Sequence, residues 1–145
     1  VAASDVFVHP LSVRYLEVDM QGVVFNMWYL AYFDDAMTAF LGHRGLPYQQ
    51  MLAAGYDVQL VHSELDWRGG LKFGDDARIA VSLAGLGRSS FTLDFEARRQ
   101  DEPLVWGRTV YVAIGADGSG KRAVPDALRA ALGQVQPLRP ADRTG

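Results

Sequence analysis

The chain has 145 residues, 49% hydrophobic and 21% charged, with 14 basic against 17 acidic side chains and a formal charge of −3. That length suits one domain burying about 70% of its unfolded surface, enough for a core without covalent staples. With no cysteine, disulfides, thiol nucleophiles, thiolate zinc sites and iron–sulfur clusters are excluded, as are a phosphate-binding basic stripe and a membrane span of ~20 apolar residues.

Residues 6–19 open the chain. From Leu11 onward apolar and polar residues alternate, with Leu11, Val13 and Tyr15 on one face and Ser12 and Arg14 on the other. The pattern fails near Glu17, and the stretch predicts a half-buried strand. Gly22 lies in the next loop and is free to take unusual dihedrals. Residues 27–42 change period. Tyr29, Phe33, Ala36 and Phe40 recur at three- and four-residue steps, as do Leu30, Met37 and Leu41, leaving Asp34, Asp35 and Thr38 as a narrow polar stripe. The pattern predicts a helix buried on most of its circumference, capped by Asn26 and ended by Gly42 or Gly45. Pro47 suits the first turn of a short second helix through about Ala54.

Strands are then predicted over Val58–Trp67, Ala77–Ala84, Phe91–Ala97 and Leu104–Ile114, separated by turns at Gly69-Gly70, Gly87–Ser90 and Asp101–Pro103. A turn at Asp117–Gly120 precedes a last helix, Asp126–Leu132, opened by Pro125. The Pro/Arg/Gly-rich tail, residues 134–145, is expected to fray. This order fits neither a doubly wound α/β fold nor a helix bundle. It predicts an α+β class, an antiparallel five-stranded sheet wrapped around one long helix, as a single domain over residues 1–133.

Several chemistries fail on spacing. Gly87-Arg-Ser-Ser-Phe91 lacks the closing glycine of a nucleophile elbow, and His9, His43 and His62 have no ligand-like spacing. No phosphate-cradling glycine loop is present. The informative stretch runs from Asp19 to Ala36. It sets a carboxylate at a strand end, a flexible glycine next, and then the positive end of an apolar helix, whose unpaired N–H groups suit a developing oxyanion. The carboxylate is a candidate base or nucleophile, while a simpler role in capping its own loop is equally consistent with the residue type.

Asp19, Gly22, Val24, Phe25, Tyr29, Phe33 and Asp34 together resemble the active-site segment of hotdog-fold acyl-CoA thioesterases, in the 4-hydroxybenzoyl-CoA thioesterase and YbgC-like branch. Weaker matches in the same order are Gly45-Leu46-Pro47, Gly74-Asp75, Arg88-Ser89-Ser90-Phe91 and Ala123-Val124-Pro125, so the likeness covers roughly residues 7–133. The resemblance implies that Asp19 is the catalytic carboxylate, attacking the thioester carbonyl or activating water. It implies that Gly22 shapes the loop and that the backbone N–H of Asn26 polarises the carbonyl oxygen. Asn26 stands where the family often carries an aromatic residue or His, which puts substrate choice inferred from relatives in question.

By the same resemblance Arg88, Ser89, Ser90 and Arg122 lie near the coenzyme A phosphates, where arginine forks suit phosphate. Tyr29 and Phe33 would line the acyl pocket, although buried helix positions serve equally as core. No metal or organic cofactor is implied, coenzyme A being part of the substrate. The implied assembly is a homodimer or homotetramer, with Asp19 meeting Arg88 or the Tyr56–His62 strand of a second copy. A cytoplasmic hydrolase of acyl-CoA, with neither nucleic acid nor membrane as partner, is the expectation. The alternatives are a thioesterase for acyl-carrier proteins and a non-catalytic acyl-binding domain.

Overall fold

The structure is a computed structural model and describes residues 5–139. The elements are β1 (Phe7–Leu11), a 3-10 turn (Tyr15–Glu17), α1 (Trp28–His43), α2 (Tyr48–Ala53), β2 (Tyr56–Trp67), β3 (Ala77–Leu86), β4 (Ser90–Arg99), β5 (Glu102–Gly115) and α3 (Asp126–Leu132). The five strands form one sheet in the order β1-β3-β4-β5-β2, every pair antiparallel. The expected class, an antiparallel sheet on one long helix, is the observed one.

Alternation on the strands builds the inner face of the sheet. Ile79, Val81 and Leu83 on β3 and Phe91, Leu93, Phe95 and Ala97 on β4 are all buried, as are Tyr111 and Ala113 on β5. Against this face α1 turns Tyr29, Tyr32, Phe33, Ala36, Met37, Phe40 and Leu41. The Phe33 ring stacks on Phe95 at 4.9 Å between centroids. A Cβ at Gly107 would lie 2.6 Å from the Phe33 ring, so glycine there lets the helix seat against β5. The helix buries one face, not most of its circumference as its apolar content predicts, because Leu30 and Ala31 are exposed beside Asp34, Asp35 and Thr38.

Three local expectations are corrected. The strand predicted through Tyr15 ends at Leu11, and Tyr15 is 82% exposed. A 3-10 turn takes its place and buries Glu17, so the alternation beyond Leu11, at Val13 and Tyr15, reflects no sheet. Asn26 does not cap α1, whose N-cap is Met27 in helical conformation with no side-chain hydrogen bond. The tail is not frayed over 134–139. Gln136 N–H donates to the Leu83 carbonyl at 2.7 Å, and Leu138 N–H to Asp94 Oδ2 at 3.0 Å. Arg139 donates to Asp66 at 3.2 Å, and its guanidinium lies 4.9 Å from the Trp106 ring. The rest of the predicted tail, 140–145, lies outside the described residues.

The two edge strands differ. β1 is short and carries Pro10, which cannot donate to a ladder. β2 has 12 residues and exposes Leu60 and Val61 at a bulge in the middle of its length. Among the described residues no helix is long and apolar enough to cross a membrane.

Candidate active site

The loop between the 3-10 turn and α1 is a small closed unit. An isolated bridge pairs Val18 with Val24. Asp19 N–H donates to the Val23 carbonyl at 2.9 Å, and Gly22 N–H to the Asp19 carbonyl at 3.0 Å. Gly22 sits at φ +78°, in the left-handed region that favours glycine. Val24 N–H reaches across to the Leu71 carbonyl at 2.8 Å, and Phe25 N–H returns to the Glu17 carbonyl at 2.9 Å. The Asp19 carboxylate is half-buried, and its Oδ1 accepts from Gln21 N–H at 2.8 Å. It therefore does cap its own loop. Among the described residues no cation pairs with it, so the carboxylate keeps acceptor capacity for a reacting group.

Asn26 comes just ahead of the first turn of α1. The amides there have no intrahelical acceptors, and they sit at the positive end of a 16-residue helix. A cavity of about 350 Å³ opens beside them, walled by Val23, Val24, Asn26, Tyr29, Trp67, Gly69 and Gly70. The Tyr29 hydroxyl accepts from Leu71 N–H at 3.0 Å, and burial chiefly holds its proton, raising its pKa. Asn26 and Tyr29 thus line one cavity, while Asp19 and Gly22 are not among its lining residues and join it through the loop, where Asp19 N–H is bonded to the Val23 carbonyl. Phe33, expected beside Tyr29 as a pocket wall, is 1% exposed within the core and takes no part in this cavity. One turn further along α1, its side chain points at β4 and β5 and packs there.

Arg88, Ser89, Ser90 and Arg122 gather elsewhere. The Arg88 carbonyl accepts from Val124 N–H at 2.8 Å and the Ser89 carbonyl from Ala113 N–H at 2.9 Å, while Ser90 pairs with Val112. The Arg122 guanidinium lies 5.5 Å from the Tyr56 ring. This cluster is at the Tyr56 end of β2, and the Asp19 loop is at the Trp67 end. At 3.3 Å per residue the strand between them spans roughly 36 Å, so one protomer does not bring the two groups together.

Glu17, two residues before Asp19, is a buried carboxylate that the sequence reading did not single out. It is 2% exposed, yet charged and fully engaged. Its Oε1 accepts from Arg14 N–H at 2.9 Å and from the Tyr32 hydroxyl at 2.7 Å, and its Oε2 meets the Arg14 guanidinium at 2.7 and 2.8 Å. Burial pushes the carboxyl up, but these four donations outweigh it and hold the group below the usual glutamate range. The same contact raises Tyr32, through burial first and the Glu17 hydrogen bond second. A separate cavity of about 400 Å³ lies between α1, α2 and β2, where the Tyr111 hydroxyl donates to Asp34 at 3.3 Å and the Tyr48 hydroxyl to Asp57 at 2.8 Å. Among the described residues no three acidic or His side chains are placed to hold a metal ion.

A half-buried carboxylate on the loop that leads into a helix N-terminus is an arrangement suited to acyl transfer. The profile of the Thioesterase-like superfamily matches residues 13–132, and the chain belongs to that family. A provisionally named esterase of Aquifex aeolicus is 30% identical over 108 residues, 74% of this chain and 84% of the relative. A protein of Synechococcus elongatus named 1,4-dihydroxy-2-naphthoyl-CoA hydrolase is 23% identical over 119 residues, 81% of this chain and 88% of its own. Among solved structures, a hypothetical protein from Thermus thermophilus superposes with a TM-score of 0.80 at 29% identity, covering 86% of this chain and 95% of that one. The fold is the hotdog fold seen in solved thioesterase structures.

Proposed function

We propose that this chain hydrolyses an acyl-CoA thioester, with Asp19 as the reacting carboxylate and the Asn26 N–H as the oxyanion donor. The observation that carries the reading is the placement of both on one loop, of which Val23, Val24 and Asn26 wall a cavity of about 350 Å³ at the positive end of α1. Either Asp19 adds to the thioester carbonyl, giving a mixed anhydride that water then cleaves, or it takes a proton from a water that adds instead. Both routes put negative charge on the carbonyl oxygen, where the helix N-terminus and the Asn26 N–H stabilise it. The C–S bond then breaks, and coenzyme A leaves as a thiolate. It takes its proton from water in the anhydride route, or from the Asp19 carboxyl that removed one from the attacking water.

The reading includes a second copy of the chain. A long edge strand with apolar residues at its middle calls for a cover. Antiparallel pairing through β2 would set the Trp67 end of one protomer beside the Tyr56 end of its partner. That would bring Asp19 near the partner's Arg88 and the partner's Arg122, resolving the separation found in one protomer. These arginines, with Ser89 and Ser90, would then hold the coenzyme A phosphates.

The test is free-thiol release from aromatic, short and long acyl-CoAs, on the parent protein and on Asp19→Asn. The 1,4-dihydroxy-2-naphthoyl-CoA named for the Synechococcus relative belongs first in the panel. Release that disappears with Asp19→Asn supports the proposal. Release only from acyl-carrier proteins overturns the coenzyme A assignment, and a monomeric mass by light scattering overturns the shared site.

A further inference from the structure

Resting on that reading of Asp19, we propose that Glu17 and Tyr32 form a positioning pair that fixes the reacting carboxylate relative to the N-terminus of α1. Three links tie the segment before Asp19 to the helix. The Glu17 carboxylate holds the Tyr32 hydroxyl, in the second turn of α1, at 2.7 Å. The Glu17 carbonyl accepts from Phe25 N–H at 2.9 Å, one residue ahead of Asn26. The Arg14 guanidinium, bound to Glu17, also lies 5.7 Å from the ring of Trp28, the first residue of α1.

Apolar side chains at both Glu17 and Tyr32 would fill the same space without burying a charge, and an ion pair with one partner largely exposed is weak support for stability as such. What the carboxylate supplies is direction, since it accepts at set angles from donors on two elements. Asp19 is two residues away, on a loop whose other end is bonded to the Glu17 carbonyl. Misplacing a reacting group by about 1 Å can cost roughly 100-fold in rate, so a fixed distance between Asp19 and Asn26 is what this site needs.

The experiment uses the full chain with Tyr32→Phe and Glu17→Gln, each alone and combined with Asp19→Asn. Tyr32→Phe removes one hydroxyl from a ring that stays buried. Amide hydrogen exchange at Gly22 and Phe25 is expected to quicken by about 10-fold, while Phe95 in the core of β4 is unchanged. Turnover is expected to fall by about 10-fold with KM held within about two-fold. In the Asp19→Asn background the second substitution should change turnover no further. Unchanged exchange at both amides would overturn the pairing. An equal loss of turnover with and without Asp19 would show a merely structural role. If Asp19→Asn itself retains turnover, the reading of Asp19 fails and the positioning role fails with it, while the exchange data still report whether the link holds the loop.

Discussion

Glu17 and Asp19 are acids separated by one residue, and the fold treats them in opposite ways. Glu17 is 2% exposed and accepts from Arg14 and from Tyr32 of α1, leaving its oxygens no capacity for a substrate. Asp19 is half-buried and, among the described residues, is bonded through its side chain only to the amide of Gln21 two residues on. One carboxylate is consumed by the architecture and the other keeps acceptor capacity. Acidic character in a motif is therefore not enough to locate chemistry. The separating quantity is how much acceptor capacity the fold has already used.

The largest effect that would break this contrast is on Asp19. Asp19→Asn keeps the shape and the loop cap, so its melting temperature should match the parent, while thiol release falls by about 10²–10⁴-fold. A thermal melt alongside the thiol assay checks both halves. Glu17→Leu should behave differently. It leaves the buried Tyr32 hydroxyl without its acceptor, which costs about 1–3 kcal/mol and lowers the melting temperature measurably. Gly22→Ala sharpens the comparison on the loop itself. Nothing lies within 4 Å of the added Cβ, so its cost is the strain of a left-handed residue alone, about 1–2 kcal/mol. Denaturant titration should find that cost.

The fold was legible where periodicity and punctuation agree. Asp126–Leu132, between Pro125 and Gly133, is the helix its pattern predicts, and the four long strands begin within two residues of expectation. It was not legible where contacts distant in sequence decide. The turn at Tyr15–Glu17 depends on Tyr32, fifteen residues on, and the ordered stretch 134–139 depends on Leu83 and Asp94. No local pattern carries either. In the candidate site, the order of a carboxylate, a glycine and a helix start left the role of Asp19 open, and it was the resemblance of the segment that singled out Asp19, Gly22 and Asn26. Glu17 left one trace, the failure of alternation at its position. Phe33 stayed ambiguous because a buried aromatic on a helix has the same spacing whether it faces a cavity or a sheet.

The smallest predicted effect is a pH dependence, set by the direction in which Glu17 is shifted. Its carboxyl is held below the ordinary value of 4.5 in the folded protein, so the folded state binds its proton less readily than the unfolded chain does. The resulting stabilisation is fully present above about pH 4.5 and is lost as the pH falls through the folded value. Arg14, whose side chain is 62% exposed, contributes little to it through charge because water screens the pair, so the Arg14 and Tyr32 hydrogen bonds carry the larger part. Glu17→Gln retains an oxygen acceptor for Tyr32 but cannot titrate. Denaturant midpoints measured from pH 7 down to pH 3 should therefore fall less steeply for Glu17→Gln than for the parent. Parallel curves would mean that other carboxylates set the acid limb and that Glu17 holds its partners through geometry alone.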